Sequence, residues 1–210
     1  ESSPHSLVRL NDTREHTEET DGCAVDGVEI RVVDDARHEV PHGQEGEEAS
    51  RGPQVFVGYW GEPEMTARAL DADGWYYSGD YCRTDSEGRY IRITGRKKDI
   101  IVRGGENISS REVEDIVLEY PGVREAAVVA MPDERLGERS CACVSMRPGA
   151  PALHLTDLVA FFDGRRVAKY KFPEYLVVLD ALPRTSSGKL QKFALARMVR
   201  ERVAAGQPSD

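Results

Sequence analysis

Near one end of the sequence stands Leu182-Pro-Arg-Thr-Ser-Ser-Gly-Lys189-Leu190, small hydroxyl residues leading into a glycine and a lysine. A lysine presented this way could neutralise phosphate or carboxylate oxygens. The run is not a Walker phosphate cradle. G-x-x-x-x-G-K-[ST] would need glycine where Pro183 stands and a hydroxyl residue where Leu190 stands. It reads instead as a flexible polar loop that holds one ammonium out from the domain, just ahead of a helix. Three segments precede it: Tyr77-Ser-Gly-Asp80, Ile93-Thr-Gly-Arg-Lys-Lys-Asp-Ile-Ile101 and Gly104-Gly-Glu-Asn-Ile-Ser109. They offer, in turn, a carboxylate that can accept paired hydroxyls, a guanidinium fork suited to oxyanions, and glycines that admit close backbone approach and positive φ. Taken singly, each is equally an ordinary turn residue or a solvated charge.

The elements that must position these segments come in two styles. The first twenty-odd residues are polar and turn-rich and read as a surface loop. Val28 to Val33 alternates as a strand, Gly43 to Gly52 reads as a polar turn region, and Gln54 to Trp60 is β-branched and aromatic, hence a second strand. Pro63 to Leu70 is a short helix with proline in its first turn. Trp75 to Tyr77 and Tyr90 to Thr94 are further short strands. After Gly95 helices and strands interleave. Ser109-Ser-Arg-Glu112 is a capping box for a helix that buries Val113, Ile116, Val117 and Tyr120 and stops at Pro121-Gly122. Glu125 to Met131, Ser140 to Met146 and Tyr175 to Leu179 read as strands. Thr156 is the expected cap of a helix holding Leu158, Val159, Phe161 and Phe162, and Leu190 to Val203 is a closing helix. The fold class expected is α+β: a short-strand β subdomain, then a compact α+β domain of about 110 residues.

Composition narrows the function classes. The chain has 210 residues, is 31% charged, and contains no run of 18 apolar residues, so no transmembrane helix is expected. Its first residues, Glu1-Ser-Ser-Pro-His, lack the basic and apolar regions of a secretory signal. The net charge of −9 resides in residues 1–50, which hold 14 acids against 4 bases, and this argues against a nucleic-acid partner. The four cysteines form no C-x-x-C pair. They are expected as buried thiols in a reducing cytoplasm, with Cys141 and Cys143 on one strand face. The five histidines show no metal-ligand spacing.

Together, and in this order, the four motifs resemble the adenylate-forming superfamily, specifically its acid–CoA ligases. Gly46-Glu-Glu-Ala-Ser-Arg-Gly-Pro-Gln-Val-Phe-Val-Gly-Tyr59 is similar to another element of that family. The resemblance covers nearly the whole chain, but only the C-terminal two-fifths of such an enzyme, without its phosphate loop and acyl pocket. It implies residues 1–95 as the last β subdomain of a large N-terminal domain, 96–99 as a hinge, 100–205 as a mobile C-terminal domain and 206–210 as a tail. It further implies Asp80 and Arg96 as ATP/AMP-binding residues, Lys98 as the hinge pivot, Gly104 and Gly105 as the lining of the pantetheine channel for CoA, and Lys189 as the catalytic lysine. Glu1 falls where the family has a magnesium contact. The implied partners are a carboxylic acid, ATP, Mg2+, CoA and the N-terminal domain absent here. The implied reaction forms an acyl-AMP and then a thioester, with domain rotation withdrawing Lys189 between the steps. This chain alone is expected to be inactive. Two alternatives stand beside it: an adenylation domain that loads a carrier protein, and a non-catalytic binding module of the same fold. Acetylation of Lys189, which removes its charge, is an expected off-switch.

Overall fold

A computed structural model describes residues 4–204. The chain divides into two compact units, residues 1–98 and 99–210. Glu1 and the tail from 206 lie outside the described residues.

The first unit opens with β1 (Ser6–Leu7), α1 (Arg14–Glu19) and β2 (Cys23–Ala24), where a surface loop was expected. β1 and β2 pair with each other, and Thr13 caps α1 by accepting the His16 amide. The body of the unit is an antiparallel sheet in the order β3 (Glu29–Val33), β4 (Gly46–Arg51), β5 (Tyr76–Thr84) and β6 (Ile91–Arg96), with α2 (Pro63–Ala69) between β4 and β5. Its core gathers Val33, Ala49, Trp75 and Tyr77. Arg31 lies 3.9 Å from the Trp75 ring centre and donates to the Tyr77 hydroxyl, which donates to Asp71.

β4 corrects the sequence reading. The strand is the polar Gly46–Arg51, and Gln54 to Trp60 forms turns that leave Val57 and Trp60 fully exposed. Hydrophobic alternation misses β4 because two of its buried side chains are polar, Glu48 and Ser50. Both meet His5 Nδ1, Ser50 at 2.7 Å and Glu48 at 3.4 Å, so their burial is compensated by hydrogen bonding.

The second unit is built on β9 (Val123–Asp133) and β10 (Gly137–Met146), a long antiparallel pair. β11 (Tyr175–Val178) runs parallel to β10 on the side away from β9. A hairpin of β7 (Ile100–Arg103) and β8 (Glu106–Ser109) joins β10 at Gly137, completing five strands. Helices cover both faces. α3 (Ser110–Leu118) and α4 (Leu155–Gly164) bury Val113, Val117, Leu158 and Phe162 against Val128, Ala142 and Val144. On the other face α5 (Lys192–Ala204) buries Leu195 and Val199 against Ala127, Val129, Cys141 and Cys143. The alternation places Cys141 and Cys143 on one face, as the sequence indicated. Ser109 caps α3 as expected, its hydroxyl accepting the Glu112 amide. The expected cap at Thr156 does not form: the N-cap of α4 is His154, whose amide donates to the Asp157 carboxylate. The last helix starts at Lys192, two residues later than its apolar pattern suggests.

Candidate active site

Asp80 and Arg96 are register partners on β5 and β6, and Arg96 Nε lies 3.3 Å from Asp80 Oδ1. Both line an open pocket of about 540 Å³ with Tyr76, Ser78, Gly79, Lys97 and Lys98. The strands deliver Asp80 there through an irregularity. Glu47 pairs with Tyr81 and Ala49 with Tyr77, so the single residue Glu48 faces three, Ser78 to Asp80. A bulge of this kind re-aims side chains at a strand rim. Gly79, at φ +74°, supplies the left-handed turn it needs.

Local bonds hold the bulge. The Ser78 hydroxyl donates to the Glu48 carbonyl and accepts the Asp80 amide, and the Gly79 amide donates to Glu47 Oε1. The other oxygen of Glu47 takes the Lys97 ammonium at 3.0 Å, and Lys97 also meets Asp35 at 2.8 Å. Burial works against the Lys97 charge, but the hydrogen bonds to Asp35 and Glu47 prevail and raise its pKa above the ordinary lysine value. Neither Lys97 nor Glu47 was assigned a role from the sequence. The signal available was the Gly46-Glu47 pair in the family-like element. Lys98 is exposed at the end of the same unit.

Within the second unit, Gly104 (φ +60°) and Gly105 (φ +91°) form the two-residue turn between β7 and β8, with Arg103 paired to Glu106. Positive φ at both central positions is the demand of a type I′ hairpin. The pair therefore closes a β-hairpin. No described atom lies within 4 Å of where a Gly105 Cβ would stand, so the turn offers bare backbone to whatever approaches it.

The Lys189 side chain is exposed, and its ammonium forms no hydrogen bond or ion pair with any described residue. Its loop is closed by hydrogen bonds of its own. The Thr185 amide donates to the Lys189 carbonyl at 2.8 Å and the Gly188 amide to the Thr185 carbonyl at 2.9 Å. The Thr185 hydroxyl accepts the Lys189 amide and pairs with Ser187. Arg184 and Leu190 bridge as the base of this small hairpin. The backbone of Lys189 is thus fixed while its side chain is free.

Family comparison supplies what geometry alone does not. Residues 1–60 match the model of the AMP-binding enzyme, and residues 112–189 match the AMP-binding enzyme C-terminal domain, the match ending on Lys189. The chain belongs to the AMP-binding enzymes. It is 64% identical over 203 residues to the medium-chain fatty-acid–CoA ligase of Escherichia coli K12, covering 97% of this chain and 36% of that one. It is 40% identical over 193 residues to the vibriobactin-specific 2,3-dihydroxybenzoate-AMP ligase of Vibrio cholerae, covering 91% and 35%. Among solved structures it is similar to ATP-bound MatB from Rhodopseudomonas palustris, at TM-score 0.80 and 36% identity, covering 87% of this chain and 36% of that one. The chain thus spans about a third of the length of these AMP-binding enzymes. Asp80, Arg96, Gly104 and Gly105 fall between the two matched stretches.

Proposed function

We propose that this chain is the C-terminal part of an ATP-dependent acid–CoA ligase whose acid is a medium-chain fatty acid. The observation that carries the reading is Lys189: a fully presented cation on a rigid turn, inside the stretch that matches the family's C-terminal domain. The 64% identity to the Escherichia coli ligase supports the choice of acid.

In the first step a carboxylate oxygen of the acid attacks the α-phosphorus of ATP. A phosphorus–oxygen bond to the acyl group forms, the bond to pyrophosphate breaks, and pyrophosphate leaves. The step drives two anions together, and the Lys189 ammonium between them offsets their repulsion. One charge at 4 Å contributes about 4 kcal/mol at an effective dielectric near 20. Asp80 accepts the ribose hydroxyls, and Arg96 turns its fork from Asp80 toward ribose and phosphate oxygens. The exchange costs little, because half-exposed ion pairs contribute only about 0–1 kcal/mol. In the second step the CoA sulfur attacks the acyl carbon, its proton passing to solvent. A carbon–sulfur bond forms and the carbon–oxygen bond to AMP breaks. Gly104 and Gly105 give the pantetheine arm a bare turn to pass, and Lys98 is the pivot that exchanges one half-reaction for the other.

Glu1, the expected magnesium contact, lies outside the described residues, and no group of three or more His, Cys, Asp or Glu side chains among the described residues is arranged to hold a metal. No helix among the described residues is long and apolar enough to cross a membrane. Four buried, unpaired cysteines support the cytoplasm as the location.

The test uses the complete protein with a medium-chain acid, ATP and CoA. The reading expects pyrophosphate, AMP and acyl-CoA in equal amounts, each dependent on the acid. Release of ADP and phosphate, or AMP formation that ignores the acid, would overturn it.

A further inference from the structure

The Lys189 turn is stitched to itself, but those bonds do not fix where it stands on the domain. Leu182, buried, and Leu190, partly buried, pack its two ends into the core beside α5. From the base of the turn, one side chain reaches both ways. Arg184 Nη1 donates to the Gly188 carbonyl at 2.8 Å, and Arg184 Nη2 donates to Glu125 Oε1 on β9. Glu125 is itself held: its second oxygen accepts the Ser145 hydroxyl of β10 at 3.1 Å and lies 3.6 Å from Arg124. Arg124 in turn donates to the Asp180 carbonyl at 2.8 Å. The Glu125 carboxyl is held below its ordinary pKa, first by Arg184 and, against opposing burial, by Ser145.

We infer that Arg184 and Glu125 are positioning residues for Lys189, a strut that ties the carbonyl one residue before the lysine to the central strand pair. The planar guanidinium suits the task because its two nitrogens bond in fixed directions, which a flexible lysine at 184 could not reproduce. The inference rests on the ligase reading for its meaning, since a placed cation matters where charge develops. The strut gives no reason for a change in the thioester step, from which Lys189 is withdrawn. A shift of about 1 Å in a catalytic group can cost as much as 10²-fold in rate. Loosening the strut is therefore expected to lower adenylation about tenfold or more.

The experiment compares Glu125→Ala, Glu125→Gln and Arg184→Lys in the complete protein. Three quantities are read: acyl-AMP formation, thioester formation from supplied acyl-AMP, and amide hydrogen exchange over residues 183–191. The strut predicts at least a tenfold fall in adenylation for Glu125→Ala, a smaller fall for Glu125→Gln, and thioester formation within twofold of the parent. It also predicts faster exchange confined to 183–191. Equal loss of both half-reactions would make the pair merely structural and overturn the inference, as would unchanged exchange over the turn. Failure of the parent protein itself to form acyl-AMP would sink the ligase reading instead, and the exchange measurement would still decide the strut.

Discussion

Arg96 and Lys97 lie against carboxylates in the first unit, Asp80 for one and Asp35 with Glu47 for the other, whereas the Lys189 ammonium in the second unit touches none among the described residues. The backbones differ in the same direction. Asp80 sits on a bulge braced by the Glu47 side chain and the Glu48 carbonyl of a neighbouring strand, while Lys189 crowns a turn closed mainly by its own amides. Pairing keeps charges in place until a ligand exchanges for the partner, which suits groups that hold a nucleotide. An unpaired cation keeps its whole field for a reagent. On the proposed ligase reading the contrast would separate holding from reacting, and substitution can test it.

The largest effect is expected at the unpaired charge. Lys189→Ala should lower adenylation about 10²–10³-fold, the range for losing a preorganised electrostatic group, while thioester formation from supplied acyl-AMP stays near normal. Acetylated Lys189 should behave likewise, because acetylation removes the charge. Equal loss of both half-reactions would erase the distinction between the units. Asp80→Ala comes next. A hydrogen bond to a charged group contributes about 1.5–3 kcal/mol, so KM for ATP should rise about 10- to 100-fold; an unchanged ATP titration would remove Asp80 from the holding role.

Gly79→Ala is milder. A Cβ there meets nothing within 4 Å, so the cost is backbone strain at φ +74° alone. That strain is worth about 1–2 kcal/mol and should appear as a lower denaturation midpoint with a modestly raised KM for ATP. Acid should produce the smallest effect. Hydrogen bonds from the Leu136 amide, then from Arg135 and the Arg139 side chain, hold the Asp133 carboxyl below its ordinary pKa despite burial. A depressed folded pKa contributes stability that is complete above the unfolded value, near 4, and is lost as pH falls through the folded one. Denaturation followed between pH 5 and 2 should therefore show the parent losing stability more steeply than Asp133→Asn.

The sequence made the second unit more legible than the first. Val113, Val117, Leu158 and Phe162 recur at helical spacing, and all four are buried. In the first unit β4 escaped because Glu48 and Ser50 occupy core positions and His5, more than forty residues away, satisfies them. Local pattern carries no trace of such a partner. The same limit hid part of the candidate site. Asp80, Arg96 and Lys189 stood out by motif, but the bonds from the Gly79 amide to Glu47 and from Arg184 to Glu125 join distant segments. The Gly104-Gly105 hairpin was missed for a local reason: its flanking strands have four residues each, too few for alternation to register.

From Ser140 to Ser145 the strand β10 has six consecutive buried residues. Ala142 and Val144 belong to the layer beneath α3 and α4, Cys141 and Cys143 to the layer beneath α5. The strand is a party wall between two rooms. Enlarging Cys143 would crowd the helix that follows Lys189 and leave the far room undisturbed, while enlarging Ala142 would do the reverse, so neighbouring codons answer to opposite sides of the same domain.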